Sequence, residues 1–315
     1  MPVHEIRYKA WEGDTTTWWR RLLAIPKFSI MSVFNKWLAV SLFGVGSLQL
    51  LIYTMALVIT NNPELQKLMN LSSRSFEALI LSPSEIIRRF LMVQVYFCLM
   101  TLLIAAPRII SQERAHKGLP LIYSRPIGRF GYIAGKFAAL GIILSYLTLV
   151  QVLFLFLVMW TNYPEGHQFH EAFWSYSVPM LARAILQSLI IITAMGLLGL
   201  ASSAASSDVR AATIVFIVLM FGASFVSQTA QNTFAPKFPE LGIREVIFAS
   251  NDKLLQSSEI AQPQRIRRGE FGRQIVWGQA TDVTTTNVIV GLLVWSGAAL
   301  LFMRWRLRPF DVHGA

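Results

Sequence analysis

Charge is scarce in this chain. Only 14% of its residues are Asp, Glu, Lys or Arg and mean hydropathy is +0.50, whereas a soluble domain carries roughly a quarter charged residues. That excludes an ordinary soluble fold. Carboxylates are the rarer sign, 17 against 28 basic groups, and the long apolar stretches hold almost none. A carrier driven by protons or sodium ordinarily needs intramembrane carboxylates, so their absence favours an externally powered machine. The single cysteine, Cys98, lies inside an apolar run, which excludes an internal disulfide framework and a cysteine metal cluster. His167 and His170 stand three apart without an evident third ligand, so no metal site is assigned. His4, His116 and His313 are far apart and accompany no nucleophile motif; no catalytic residue is assigned and no enzyme activity is expected of this chain. The first 35 residues contain Glu5, Glu12, Asp14 and Arg20-Arg21 but no long apolar core, so no cleavable signal peptide is expected.

Hydrophobic runs are what the chain has in quantity. A membrane span needs about 20 mostly apolar residues, and six stretches qualify: 37–60, 90–110, 137–160, 178–201, 211–228 and 287–304. With the amino terminus inside, the cytosolic pieces hold 16 basic residues against 6 acidic ones, and the remainder 12 against 11. The net charge of +11 thus falls on one side, as the positive-inside rule requires. It calls for no nucleic acid, only membrane lipids. The expectation is one all-α membrane domain, 1–315: a cytosolic tail and interfacial helix (1–36), a six-span bundle (37–304) and a basic cytosolic tail (305–315). Both termini lie in the cytosol of a cell, or inner, membrane. The long segment 232–285, with Arg265, Arg267, Arg268 and Arg273, is then expected outside.

Two flanking segments have their own character. "TTTWWRRLLAIPKFSIMSVFNKW" mixes Trp18, Trp19, Leu22 and Leu23 with Arg20, Arg21 and Lys27, the composition of a helix lying in the interface. It reads as a plain pre-membrane anchor or as an elbow helix that slides with the first span. Residues 61–89 read as one or two short amphipathic helices capping the bundle.

The segment "SQERAHKGLPLIYSRPIGRFGYIAGK", residues 111–136, packs five basic groups and much backbone punctuation between two spans. Its Gly135-Lys136 is not a phosphate loop: Phe130 occupies the position of the first glycine, Phe137 that of the Ser/Thr, and no strand precedes it. Glu113 to Leu119 is suited to a short helix ended by Gly118 and Pro120. Ser124-Arg125-Pro126 then makes a turn, and Gly128 and Gly131 allow a return into the next span.

At these residues the sequence resembles the permease subunits of ABC transporters of the six-span, exporter-type (ABC-2-like) family. Their first cytosolic loop has an acidic residue, a Gly, an apolar pair, Ser-x-Pro, an Arg and Gly-Lys. Here those are Glu113, Gly118, Leu119 with Leu121, Ser124-Arg125-Pro126, Arg129 and Gly135-Lys136. The likeness extends to the small-residue run "GLASSAASSDVRAA" and the tail "RWRLRPFDVHGA". It implies an ATP-driven transporter, with a short coupling helix that docks on separate ABC ATPase subunits. The coupling residues would be Glu113, Arg114, Gly118, Ser124, Arg125, Pro126, Arg129, Gly135 and Lys136. It also implies a second permease protomer, in a homo- or heterodimer. ATP and Mg would be held by the partner ATPase and no cofactor by this chain.

Two polar stripes remain. Gln94, Cys98 and Thr101 share one face of the second span, and Ser224, Gln228 and Gln231 one face of the fifth. They are either glue between helices or the lining of a translocation path. Two other functions stay open, a non-transporting anchor or regulator that recruits a cytosolic protein, and a secondary carrier.

Overall fold

The computed structural model describes residues 25–31, 37–62, 64–65, 82–116, 129–163, 166–222, 225, 242–255 and 285–307. Eight helices make up nearly all of this, and no strand occurs among the described residues. They are α1 (25–31), α2 (Trp37–Asn61), α3 (Pro83–Ala115), α4 (129–162), α5 (Phe173–Ala205), α6 (Val209–Gly222), α7 (Ile243–Leu255) and α8 (Thr285–Arg306). Helices α2, α3, α4, α5 and α8 are long and apolar enough to cross a membrane. This is an all-α membrane protein. Of the fifth expected span, 211–228, the described part is the apolar helix α6.

Consecutive spans alternate in direction, which gathers Ala115, residue 129, Ala205, Val209 and Arg306 at one end of the bundle. Arg114 reaches the Ala204 carbonyl there, and Arg306 the Ala205 carbonyl. We call this the basic end and the other the far end. The strand of contacts that organises the bundle runs through α5. It packs most extensively on α3 and also touches α4, α6, α7 and α8, while α2 rests on α3 and α4. Small residues make this possible: a Cβ on Gly199 would sit 2.9 Å from the Ala106 Cβ. The two backbones therefore approach as closely as glycine permits.

Helix α3 begins earlier than hydropathy indicates. Residues 83–89, expected in a capping helix, are instead its first two turns. Ser82 caps it by accepting from the Glu85 N–H, and Pro83 fits the first turn, where no N–H partner exists. Glu85 then takes Arg88 at 2.6 Å and Arg89 at 2.7 Å, so both charges that end the apolar run on paper are paired within the helix, and Asp252 of another segment adds a second carboxylate to Arg88. At its other end α3 runs through Glu113 and Arg114 to Ala115. Those two residues belong to the span rather than to a separate loop helix. Gly131 is likewise inside α4, not in a turn.

The segment 232–285 contains an element that its composition hides. Helix α7 is wedged between α3, α5 and α8, with Ile243, Val246, Ile247, Ala249, Ser250, Asn251, Asp252 and Leu255 buried. It has low mean apolarity because it carries Arg244, Glu245, Asp252 and Lys253. A hydropathy window therefore passes over it.

Candidate functional site

At the basic end, the ends of α3 and α4 are joined by charge. Lys136 is only 4% exposed. Its ammonium pairs with Glu113 and donates to the Ser29 hydroxyl of α1 at 3.0 Å. The Tyr132 hydroxyl donates to the second Glu113 oxygen, and the Lys136 ammonium lies 5.6 Å from the centre of the Tyr132 ring. Ser29 and Lys136 thus bring α1 against the first turns of α4. Gly135 fits the same contact, since a Cβ there would come within 3.0 Å of Ile25. A fully desolvated ammonium is tolerable only with such partners.

Of the residues expected to couple to an ATPase, Glu113, Arg114, Gly135 and Lys136 therefore meet at the root of the loop, each against another part of the bundle. Arg129 starts α4. Gly118, Ser124, Arg125 and Pro126 lie outside the described residues. Sequence reasoning did not single out Ser29 and Tyr132, which complete the cluster. The signal for Tyr132 was its position one turn before Lys136, on the same helix face.

Just inside this cluster α3 carries Pro107, and α5 answers it. The Ser203 hydroxyl donates to the Pro107 carbonyl at 2.9 Å and accepts the Ile110 and Ser111 N–H groups at 2.9 and 3.1 Å. A side chain from one helix is thus inserted at the proline of another, where the helical ladder is weakest.

The mid-bundle stripe of α3 is sealed within the protomer. Gln94, Cys98 and Thr101 are fully buried. Gln94 donates to the Gly46 carbonyl of α2 at 3.4 Å and to the Gln151 side chain of α4; Gln49 of α2 returns a bond of 3.1 Å to the Phe90 carbonyl of α3. Two reciprocal amide-to-carbonyl bonds therefore staple α2 to α3, and a π-helical turn at Tyr146–Val150 leads directly into Gln151. Ser224, Gln228 and Gln231 lie outside the described residues.

At the far end a second ionic cluster holds α7. Arg88 bridges Glu85 and Asp252, Asn251 donates to the Arg88 carbonyl at 2.9 Å, and Ser250 donates to Gln187 of α5 at 3.0 Å. Burial pushes the Asp252 carboxyl above the usual carboxylate value, with Arg88 pulling in the opposite direction. Nearby, His170 bonds the Tyr163 carbonyl and His167 accepts the Phe169 N–H. Both rings join an aromatic cap with Trp160, Tyr163, Phe169 and Phe173.

The buried charges at the two ends face one another. The chain's features are those of a helical bundle with an ionic cluster at each end. A family model described as ABC-2 family transporter protein matches residues 37–303. A comparison with curated proteins finds no match.

Proposed function

The chain belongs to the ABC-2 transporter family, and from that membership we propose that it is the permease of an ATP-driven exporter whose ATPase is a separate subunit. It is a multi-pass membrane protein and the non-enzymatic, transmembrane component of such a system. In our reading six helices cross a cell membrane, the fifth passing through α6, with both termini and the loop 113–130 in the cytosol. That loop grips the ATPase, which binds ATP and Mg, and a second permease protomer completes the transporter. The observation that carries this reading is the family match over nearly the whole bundle. The basic end supports it physically. A loop that transmits force needs a stiff root, and here both flanks of the loop are fixed to each other and to α5.

Copurification tests the reading. The loop variant Arg125→Ala with Arg129→Ala removes two charges that a docked ATPase would desolvate. Truncating one such partner costs on the order of 2–5 kcal/mol, or at least about tenfold in affinity. The ATPase should be lost from that variant and kept by Arg304→Ala with Arg308→Ala, which removes two charges from the carboxyl-terminal part. Equal loss from both would reduce the loop to a basic surface. Failure of any ATPase to copurify with the native protein would favour a non-transporting anchor. For the path, Gln94 and Gln228 are the proposed lining, Gln94 in a state in which α2 parts from α3 and exposes it. Replacing both by Leu should change transport while leaving assembly intact, and a change in assembly alone assigns them to packing.

A further inference from the structure

We propose that Glu113, Lys136, Tyr132 and Ser29 form an internal clasp that makes α1 part of the force-transmitting element, and that Glu113 and Lys136 position the loop without touching the ATPase. This rests on the reading of residues 113–130 as the coupling loop. It also changes what α1 does. An interfacial helix ahead of the first span would be expected to follow that span, or to lie free on the membrane. Here the Ser29 hydroxyl of α1 is bonded to Lys136 of α4, and Ile25 of α1 lies against Gly135 of α4.

Three observations carry the assignment. The Lys136 side chain is 5% exposed and that of Glu113 31%, so the ammonium is committed inside the protomer and has no free face to offer a partner. Both Glu113 oxygens are used, one by Lys136 and one by Tyr132. The two bonds hold the carboxylate in place across the root of the loop. Finally, the pair closes the chain upon itself: residues 114–135 leave and return through one ion pair, and α1 is bonded to the residue that shuts it. A displacement of the loop is then handed to α1 as well as to α3 and α4. In the neighbouring contact, Arg114 holds the Ala204 carbonyl, so the same root is also tied to α5.

The test separates an internal tether from a docking contact. Spin labels on cysteines replacing the exposed Lys27 and Ser207, in a Cys98→Ser background, report where α1 sits relative to the basic end. The exposed Trp174 and Lys253 positions serve as a far-end control. The native clasp should give one narrow distance. Lys136→Ala strands the Glu113 charge, and the share of the narrow peak should fall by about half or more. Lys136→Arg should retain it, and the exchange Glu113→Lys with Lys136→Glu should restore both the narrow peak and ATPase copurification. Ser29→Leu, which leaves the ion pair in place, should release α1 alone. A narrow peak that survives Lys136→Ala overturns the clasp. So does broadening at the far-end pair to the same degree, which would mean general unfolding. If the exchange restores the peak but loses the ATPase, Glu113 or Lys136 touches the partner and the positioning role is refuted. The distance measurement needs no ATPase, so failure of the clasp and failure of the transporter reading are told apart.

Discussion

Removing Arg88 should be the most damaging single truncation at the far end, and the structure says by how much. Its side chain is 15% exposed, and it sits between Glu85 at 9% and Asp252 at 8%. Arg88→Ala leaves two carboxylates in this nearly dry site. Glu85 retains Arg89 at 2.7 Å, but Asp252 loses the cation that its burial requires. Uncompensated buried charge costs about 3–5 kcal/mol. Asp252→Asn acts differently. It removes a charge that burial already disfavours, and it leaves Arg88 paired with Glu85 at 2.6 Å. The loss there is that of one strong hydrogen bond, about 1–3 kcal/mol. The two residues share a partner, so the double variant Arg88→Ala with Asp252→Asn should cost less than the sum, by about 0.5–3 kcal/mol. Unfolding of the reconstituted protein by titration with SDS, followed by far-UV circular dichroism, gives all three numbers. Penalties that add to within about 0.5 kcal/mol, or a larger effect from Asp252→Asn than from Arg88→Ala, would refute the reasoning.

Gly199→Val should prevent assembly of the α3–α5 contact, because even a Cβ there lies 2.9 Å from Ala106. Gly44→Val, which meets nothing within 4 Å, should not, and size-exclusion profiles in detergent distinguish them. Ser203→Ala takes their partner from the Ile110 and Ser111 N–H groups, while the Pro107 carbonyl keeps the Ser111 hydroxyl, and it should cost about 1–3 kcal/mol in the same SDS titration. In a Cys98→Ser background, cysteine at position 206 should react with an impermeant maleimide only from the cytosolic side, and cysteine at position 262 only from outside. Tyr163, outside the spans, has its phenol pushed up to about 12 by burial, with Tyr176 adding to the shift. Because the unfolded phenol ionises first, near 10, stability should fall as pH rises from about 10 to 12, and Tyr163→Phe should flatten that fall in an alkaline melting series.

The spans were legible because burial in lipid leaves its mark on every residue of a helix, as in 37–60 against the observed Trp37–Asn61. Their ends were less so. Arg88 and Arg89 read as a boundary, yet α3 begins at Pro83, with Glu85, three and four residues earlier, paired to both and Asp252 paired to Arg88. Helix α7 was illegible for a related reason: its Asp252 looks like a solvent residue until Arg88, 164 positions away, is brought beside it. At the basic end, Glu113 and Lys136 were both recognised, but from their place in a family pattern. That they face each other, and that Ser29 joins them, depends on three chain segments meeting, and no local periodicity records it.

The proline contact between α3 and α5 divides α3 unequally. From Pro107 the helix continues for 8 residues to Ala115 and runs back 24 to Pro83, or roughly 12 Å and 36 Å at about 1.5 Å per residue. If Ser203 serves as a fulcrum, α3 is a lever with arms in the ratio of about one to three. A push of about 1 Å at the root of the loop would then swing Glu85 and Arg88 through about 3 Å relative to Asp252 of α7, the length of a hydrogen bond. On that geometry a small stroke at the root of the loop corresponds, at Arg88, to a displacement comparable to the bonds by which it holds Asp252 and Asn251 of α7.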